Sequence, residues 1–211
     1  MGGPCPADRS PADVSAAAKH PLVARLDRAL AGRAPGLAER DEPFKEAAVA
    51  IILRPRADDD ADLLLIRRAV HAGDPWSGQI GLPGGRYEPA DASLEATALR
   101  ETYEEVGIDL RTAGRVLGAL DEVRPRSPVL PPIIVRPYVV VLEQAPTLVL
   151  SDEVAEVRWV RVRELFVPGA RVSTSVIVRE YRMQVDAYQH GDFTIWGMTE
   201  RILSTFDGLW R

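Results

Sequence analysis

The chain has one cysteine, Cys5, in a Pro/Gly-rich start. A single thiol builds no disulfide framework, so a reducing, cytoplasmic compartment is expected. Histidine is nearly as scarce: no two of His20, His71 and His190 share a motif, which argues against a zinc site. No run approaches the ~18 apolar residues of a membrane span, and the first residues lack the basic-then-apolar order of a secretory signal. Met1-Gly2 opens the chain, but Pro6 fills the slot where myristoylation wants Ser or Thr. Basic charge is in deficit, with 26 Lys and Arg against 31 Asp and Glu and a formal net charge of −5. That excludes a general nucleic-acid binder, although local arginines and a metal can still serve a small anion. Leu82-Pro83-Gly84-Gly85 lacks the Gly-Lys-Ser/Thr that makes a phosphate-cradling loop. Asp74-Pro75-Trp76-Ser77 is no nucleophile elbow. There is no internal repeat and no low-complexity tract.

At 211 residues and 46% hydrophobic content, a single domain with an ample core is expected. Residues 1–18, rich in Pro, Gly, Ala and Asp, are expected to be a mobile N-terminal segment, leaving 19–211 as the domain. The stretch GGRYEPADASLEATALRETYEEVGI, residues 84–108, organises it. Two glycines start it at a turn. Asp91 or Ser93 offers a helix cap, Leu94 to Val106 reads as a helix, and Gly107 stops it. At roughly 100° per residue, Ala96, Leu99, Tyr103 and Val106 share one face. Glu101, Glu104 and Glu105 fall almost opposite, with Arg100 at the edge. Neighbouring like charges cost roughly 0.2–0.5 kcal/mol per pair. Their convergence makes sense around a hard divalent cation such as Mg²⁺ or Mn²⁺, which prefers oxygen ligands and shares its shell with phosphates. A solvated acidic face is the plainer alternative.

This stretch resembles the Nudix box: Gly, five residues, an acid, seven residues, Arg-Glu, an apolar residue, any residue, Glu-Glu, any residue, Gly, and an apolar residue. Gly85 starts it, and Arg100-Glu101 and Glu104-Glu105-Val106-Gly107-Ile108 finish it. Two departures are visible: the early acid is Asp91, eight residues before Arg100, and Thr102 fills the apolar slot. The resemblance implies metal held by the Gly84 carbonyl, Glu101 and Glu105, with Glu104 in close support and Arg100 orienting a glutamate. One of the helix glutamates or Glu153 would be the general base. It also implies a mixed β-sheet sandwiched between α-helices, an α/β/α arrangement, which the alternation of elements fits independently.

Two further segments resemble coenzyme A pyrophosphatases. Upstream of the box, Arg68-Ala69, Gly78 and Leu82-Pro83-Gly84-Gly85 match. An arginine usual between them is absent, with Gly73 or Asp74 near its place, and Leu82 replaces phenylalanine. Near the end, Ile195-Trp196-Gly197 and Thr199-Glu200-Arg201-Ile202-Leu203 match, with Glu200 where alanine is usual. The resemblance thus runs from Ala47 to Leu209.

Around the box, Leu22, Leu26 and Leu30 mark an amphipathic helix over 20–31, suited to a lid or a homodimer contact. Residues 47–53 and 63–67 read as a hairpin, 68–85 as a long shaped loop ending in a short strand over 79–82, and 115–123 and 133–142 as strands. Residues 156–162, 172–179 and 181–188 read as further strands, 163–166 as one helical turn, and 198–209 as a last helix. Arg68, His71, Arg86, Arg124 and Arg126 are the candidate substrate contacts, with Arg136 a further basic residue. Loop packing is the simpler role for His71 and for Trp76. The expected function is hydrolysis of a small-molecule diphosphate, coenzyme A or an acyl derivative first. A nucleoside diphosphate sugar or dinucleotide comes second, and a nucleotide-sensing module without catalysis third. Isopentenyl diphosphate isomerase, which shares the fold but uses a cysteine, is rejected because Cys5 lies far from the motif.

Overall fold

Alternation along three long strands decides the architecture. In β1 (Lys45–Arg56), Ala47, Ile51 and Leu53 enter one apolar cluster while Ala48, Ala50 and Ile52 enter another. β2 (Asp60–Arg68) divides the same way, with Leu63 and Leu65 against Leu64 and Ile66. So does β6 (Ile133–Leu142), with Val135, Val139 and Val141 against Tyr138, Val140 and Leu142. Strands apolar on both faces need cover on both. Helices α1 (Pro21–Leu30) and α5 (Gly197–Trp210) supply it on one side, through Leu22, Leu26, Leu203 and Phe206. On the other side lie α2 (Leu94–Val106) and the short α3 (Leu110–Ala113), through Ala98, Val106 and Leu110. Each fully buried Leu, Ile or Phe contributes about 1.5–3 kcal/mol. The expected α/β/α sandwich is therefore present, in a computed structural model that describes residues 20–71, 76–125, 132–178 and 181–211, without the side chains of Val178 and Tyr181. The N-terminal segment 1–18, Gly73, Asp74 and Arg126 lie outside the described residues.

The main sheet is mixed. β1 runs parallel to β6, from Lys45↔Ile133 to Leu53↔Val141. It is antiparallel to β2, forming the expected hairpin from Leu53↔Leu63 to Arg56↔Asp60. β2 also pairs with β3 (Ile80–Gly81) and with β7 (Val154–Arg161). β5 (Gly114–Ala119) lies against β6. After the helical turn α4 (Val162–Leu165), the strands β8 (Arg171–Val178), β9 (Tyr181–His190) and β10 (Phe193–Trp196) form a separate antiparallel sheet in the order β10-β9-β8.

Two expectations are corrected. The glycine pair is not only a turn: residues 84–86 form a strand, β4 (Gly84–Arg86), paired with β1 through Val49↔Gly84, Ala48↔Gly85 and Ala47↔Arg86. The strand expected over 115–123 ends at Ala119, and Val123 rejoins the ladder only as an isolated bridge to Val135.

Candidate active site

The site is built where β4 meets α2. Gly84 has φ 149°, and a Cβ there would lie 2.3 Å from the Ala48 carbonyl oxygen. Gly85 is tight for a different reason: its Cβ would lie 2.3 Å from the Glu101 carboxyl carbon. Bare backbone at both positions lets the strand sit against β1 and lets a helix carboxylate sit against the strand. The Gly84 N–H then donates to Glu105 Oε2 at 2.9 Å, joining the two elements directly.

Helix α2 starts and stops as its sequence dictates. The Ser93 side chain caps it by accepting from the Ala96 N–H at 3.1 Å, and Gly107 ends it in the left-handed region with φ 75°. Its buried face differs from the one the apolar spacing gives. Thr97, Ala98, Thr102, Glu105 and Val106 are buried, whereas Tyr103 is 58% exposed and Ala96 and Leu99 are half-buried. The reason is polar satisfaction. Thr102 donates its hydroxyl to the Ala98 carbonyl at 2.7 Å, and Glu105 has the Gly84 N–H, so both tolerate an interior that Tyr103 does not need.

The three glutamates are thereby separated. The Glu105 side chain is 4% exposed and Glu101 17%, but Glu104 is 54% exposed. Burial, followed by the nearby Glu101 and Glu153 carboxylates, pushes Glu105 up to about 7 against the opposing Gly84 N–H and Arg68. Burial also raises Glu101, opposed by Arg100 and reinforced by Glu104 and Glu153. Glu153 is sequence-distant from the helix, yet backbone bonds bring its turn there. Ser151 N–H donates to the Glu105 carbonyl at 3.0 Å, and Ala69 N–H donates to the Glu153 carbonyl at 2.8 Å.

Arginines hold these acids. Arg100 reaches Asp91 at 2.9 and 3.0 Å, Glu104 at 2.9 Å, Glu101 at 3.1 Å and the Arg86 carbonyl at 3.1 Å. Asp91 also accepts from the Glu88 N–H and the Thr97 hydroxyl, and Arg100 holds its carboxyl well below the usual carboxylate range. The departure from the box is thus a clamp between the loop and the helix. Three of the donors Asp91 accepts from, the Glu88 N–H, the Thr97 hydroxyl and Arg100 Nη2, converge on one of its oxygens, Oδ2. Arg68 Nη1 lies 3.7 Å from Glu105 Oε1, a pairing that sequence spacing does not reveal.

Among the described residues no three Asp, Glu, His or Cys side chains stand together as a ready cation site. Arg100 draws Glu104 aside, and Arg68 faces Glu105. The donor set nevertheless fits a hard divalent ion. Glu105 is buried and Glu101 partly buried beside it, both with raised affinity for protons, and carboxylate and carbonyl oxygens are what such an ion takes.

The remaining candidates scatter. Arg86 and His71 are exposed; the His71 backbone is closed into a turn by Ser77, whose Oγ accepts from its N–H at 3.0 Å. Arg124 is not offered to an anion from outside: Asp41, Glu42 and, at 3.1 Å, the Glu39 carbonyl accept from it. Arg136 is paired with the buried Glu122, which Arg40 also holds at 2.9 Å. A separate cavity of about 280 Å³, lined by Glu122, Arg171, Glu200 and Arg201 among others, includes none of the helix carboxylates. The acids Glu122 and Glu200 in its wall are already neutralised by arginines.

The family model described as the NUDIX domain matches residues 43–180. The peroxisomal coenzyme A diphosphatase ndx-8 of Caenorhabditis elegans is 32% identical over 158 residues, 74% of this chain and 64% of that protein. The uncharacterized Nudix hydrolase NudL of Salmonella newport is 34% identical over 171 residues, 75% of this chain and 79% of that protein. The chain spans 46% and 64% of the lengths of the first curated relatives it matches. Among solved structures, a MutT/nudix family protein from Enterococcus faecalis superposes with a TM-score of 0.55 at 22% identity, covering 82% of this chain and 64% of that one.

Proposed function

The chain belongs to the Nudix family, and on that premise we propose that it is a metal-dependent hydrolase of a diphosphate linkage in a small-molecule nucleoside diphosphate derivative. The observation that carries this reading is the Glu101–Glu105 pair packed against Gly84 and Gly85. The finer reading is coenzyme A or acyl-CoA, cleaved to adenosine 3′,5′-bisphosphate and (acyl-)phosphopantetheine. It is supported by the matches at Arg68-Ala69, Leu82–Gly85 and Ile195–Leu203 and by the likeness to ndx-8.

In this reading Glu101, Glu105 and the Gly84 carbonyl hold Mg²⁺ or Mn²⁺, supported by Glu104. Bound there, such an ion would supply charge neutralisation for the diphosphate and acidity for the attacking water. Arg100 fixes Glu101 and ties the helix to the preceding loop through Asp91. Glu153, on the turn bonded to Glu105, or a helix glutamate accepts the proton of the attacking water. Residues 19–211 act as one catalytic domain in this account. Among the described residues, no helix is long and apolar enough to cross a membrane.

The engagement of Arg124 by Asp41 and Glu42 favours a second substrate reading, a nucleoside diphosphate sugar or dinucleotide, because it removes a candidate contact for the 3′-phosphate. A panel of diphosphates incubated with Mg²⁺ or Mn²⁺, with products resolved by mass, decides. Coenzyme A should be cleaved faster than its 3′-dephospho form, ADP-ribose or a nucleotide sugar. Faster cleavage of the last two transfers the assignment to the second reading. In the same assay Glu105→Gln should lose most of kcat with its fold intact, a loss of several kcal/mol of transition-state stabilisation. Wild-type turnover in that variant at saturating metal overturns the metal assignment.

A further inference from the structure

Arg67 and Arg68 are adjacent but leave β2 toward different partners. The β2–β7 ladder shifts register between them. Arg67 goes to Glu156 at 3.1 Å and Asp192 at 2.6 Å, within a surface network. Arg68 goes to the site, 3.7 Å from Glu105 Oε1. Glu105 has two oxygens in two states. The Gly84 N–H fixes Oε2 at 2.9 Å, while Oε1 faces a guanidinium at a separation longer than a hydrogen bond. Charge attraction holds this contact, without the short paired geometry of a bidentate arginine–carboxylate pair.

A divalent ion bound by Glu105 repels that guanidinium and competes for the same oxygen. A diphosphate bound beside the ion offers the acceptors that a guanidinium fork matches best. We propose that Arg68 is a substrate-phosphate ligand held by Glu105 until a cation takes that carboxylate, so that metal and diphosphate strengthen each other's binding through this one side chain. The proposal rests on the diphosphatase reading above. It adds an order: in the metal-free protein Arg68 occupies Glu105, and in the loaded protein it faces the phosphates. Coupling of this kind is reciprocal, so a substitution that frees Glu105 must change metal affinity in the absence of any substrate.

The test uses the full chain and Mn²⁺ alone, with free ion measured by electron paramagnetic resonance, and thermal melts to verify folding. Arg68→Gln should bind Mn²⁺ at least threefold more tightly than wild type. Arg68→Lys, which keeps the charge and loses the fork, should keep wild-type Mn²⁺ affinity. At saturating Mn²⁺, both variants should show KM for the best diphosphate raised about tenfold or more, the loss of one charge-assisted contact. Unchanged or weaker Mn²⁺ binding in Arg68→Gln overturns the proposal, as does an unchanged KM in both variants. Glu105→Gln separates this failure from that of the functional reading. If it loses Mn²⁺ while Arg68→Gln does not gain it, only the role of Arg68 is withdrawn. If it binds Mn²⁺ like wild type, both are.

Discussion

Glu105 is where fold and chemistry conflict most sharply. Its carboxyl is pushed from an ordinary 4.5 to about 7 by burial and by Glu101 and Glu153. A carboxyl that binds its proton more tightly folded than unfolded stabilises the fold below its unfolded value. That contribution is lost as pH rises from about 4.5 through about 7. The metal-free protein should therefore melt at a lower temperature at pH 8 than at pH 5, and Glu105→Gln should flatten that slope. A slope unchanged in the variant would assign it to other groups. Cation binding must also expel this proton, so Mn²⁺ affinity should rise with pH up to about 7 and level off above it. An affinity flat between pH 5 and 7 would contradict the shift.

At the scale of elements, two adjacent glycines make separable predictions. A methyl at Gly85 meets the end of the Glu101 side chain, which can swing away. Gly85→Ala should keep the fold and weaken metal binding. A methyl at Gly84 meets the Ala48 carbonyl and the Val49 Cα, which are fixed in β1, and φ is 149°. Gly84→Ala should lower the melting temperature more than Gly85→Ala; the reverse order would mean that β4 shifts freely. Asp91→Ala strips the buried clamp from Arg100 and should cost about 3 kcal/mol in urea unfolding, as breaking a buried ion pair does. A cost under about 1 kcal/mol would show that the clamp is dispensable.

These elements also show what the sequence made legible. Helix α2 was readable to the residue because its signals are local: Ser93 caps it and Gly107 ends it. Its orientation was not, because burying Thr102 and Glu105 depends on partners in other segments, above all the Gly84 N–H. Asp91 looked like a possible cap and proved to be a clamp, since Arg100 and Thr97 reach it only once the loop folds back. The Arg68–Glu105 contact spans β2 and α2 and leaves no local trace. Arg124 is a candidate phosphate contact by sequence, and its partners Asp41 and Glu42 leave no local signal because they are far away in the chain.

For the whole molecule, the site lies on a seam between the sheet and the second apolar cluster. Glu101 and Glu105 project from α2, Gly84 belongs to β4, and β4 is held by β1 at the centre of the main sheet. A cation bound across that seam ties a helix to a strand and relieves repulsion between the buried Glu105 and the partly buried Glu101, so it binds the folded chain and not the unfolded one. At about 100 times its dissociation constant such an ion adds about 2.7 kcal/mol. For a chain of this size each kcal/mol raises the melting temperature by about 2–4 °C, so Mg²⁺ or Mn²⁺ should raise it by about 5–10 °C. In a Glu101→Ala/Glu105→Ala protein the gain should vanish, while its metal-free melting temperature stays near or above that of wild type because the repulsion is gone. A metal-induced rise that persists in the double variant would place the dominant cation site outside this seam.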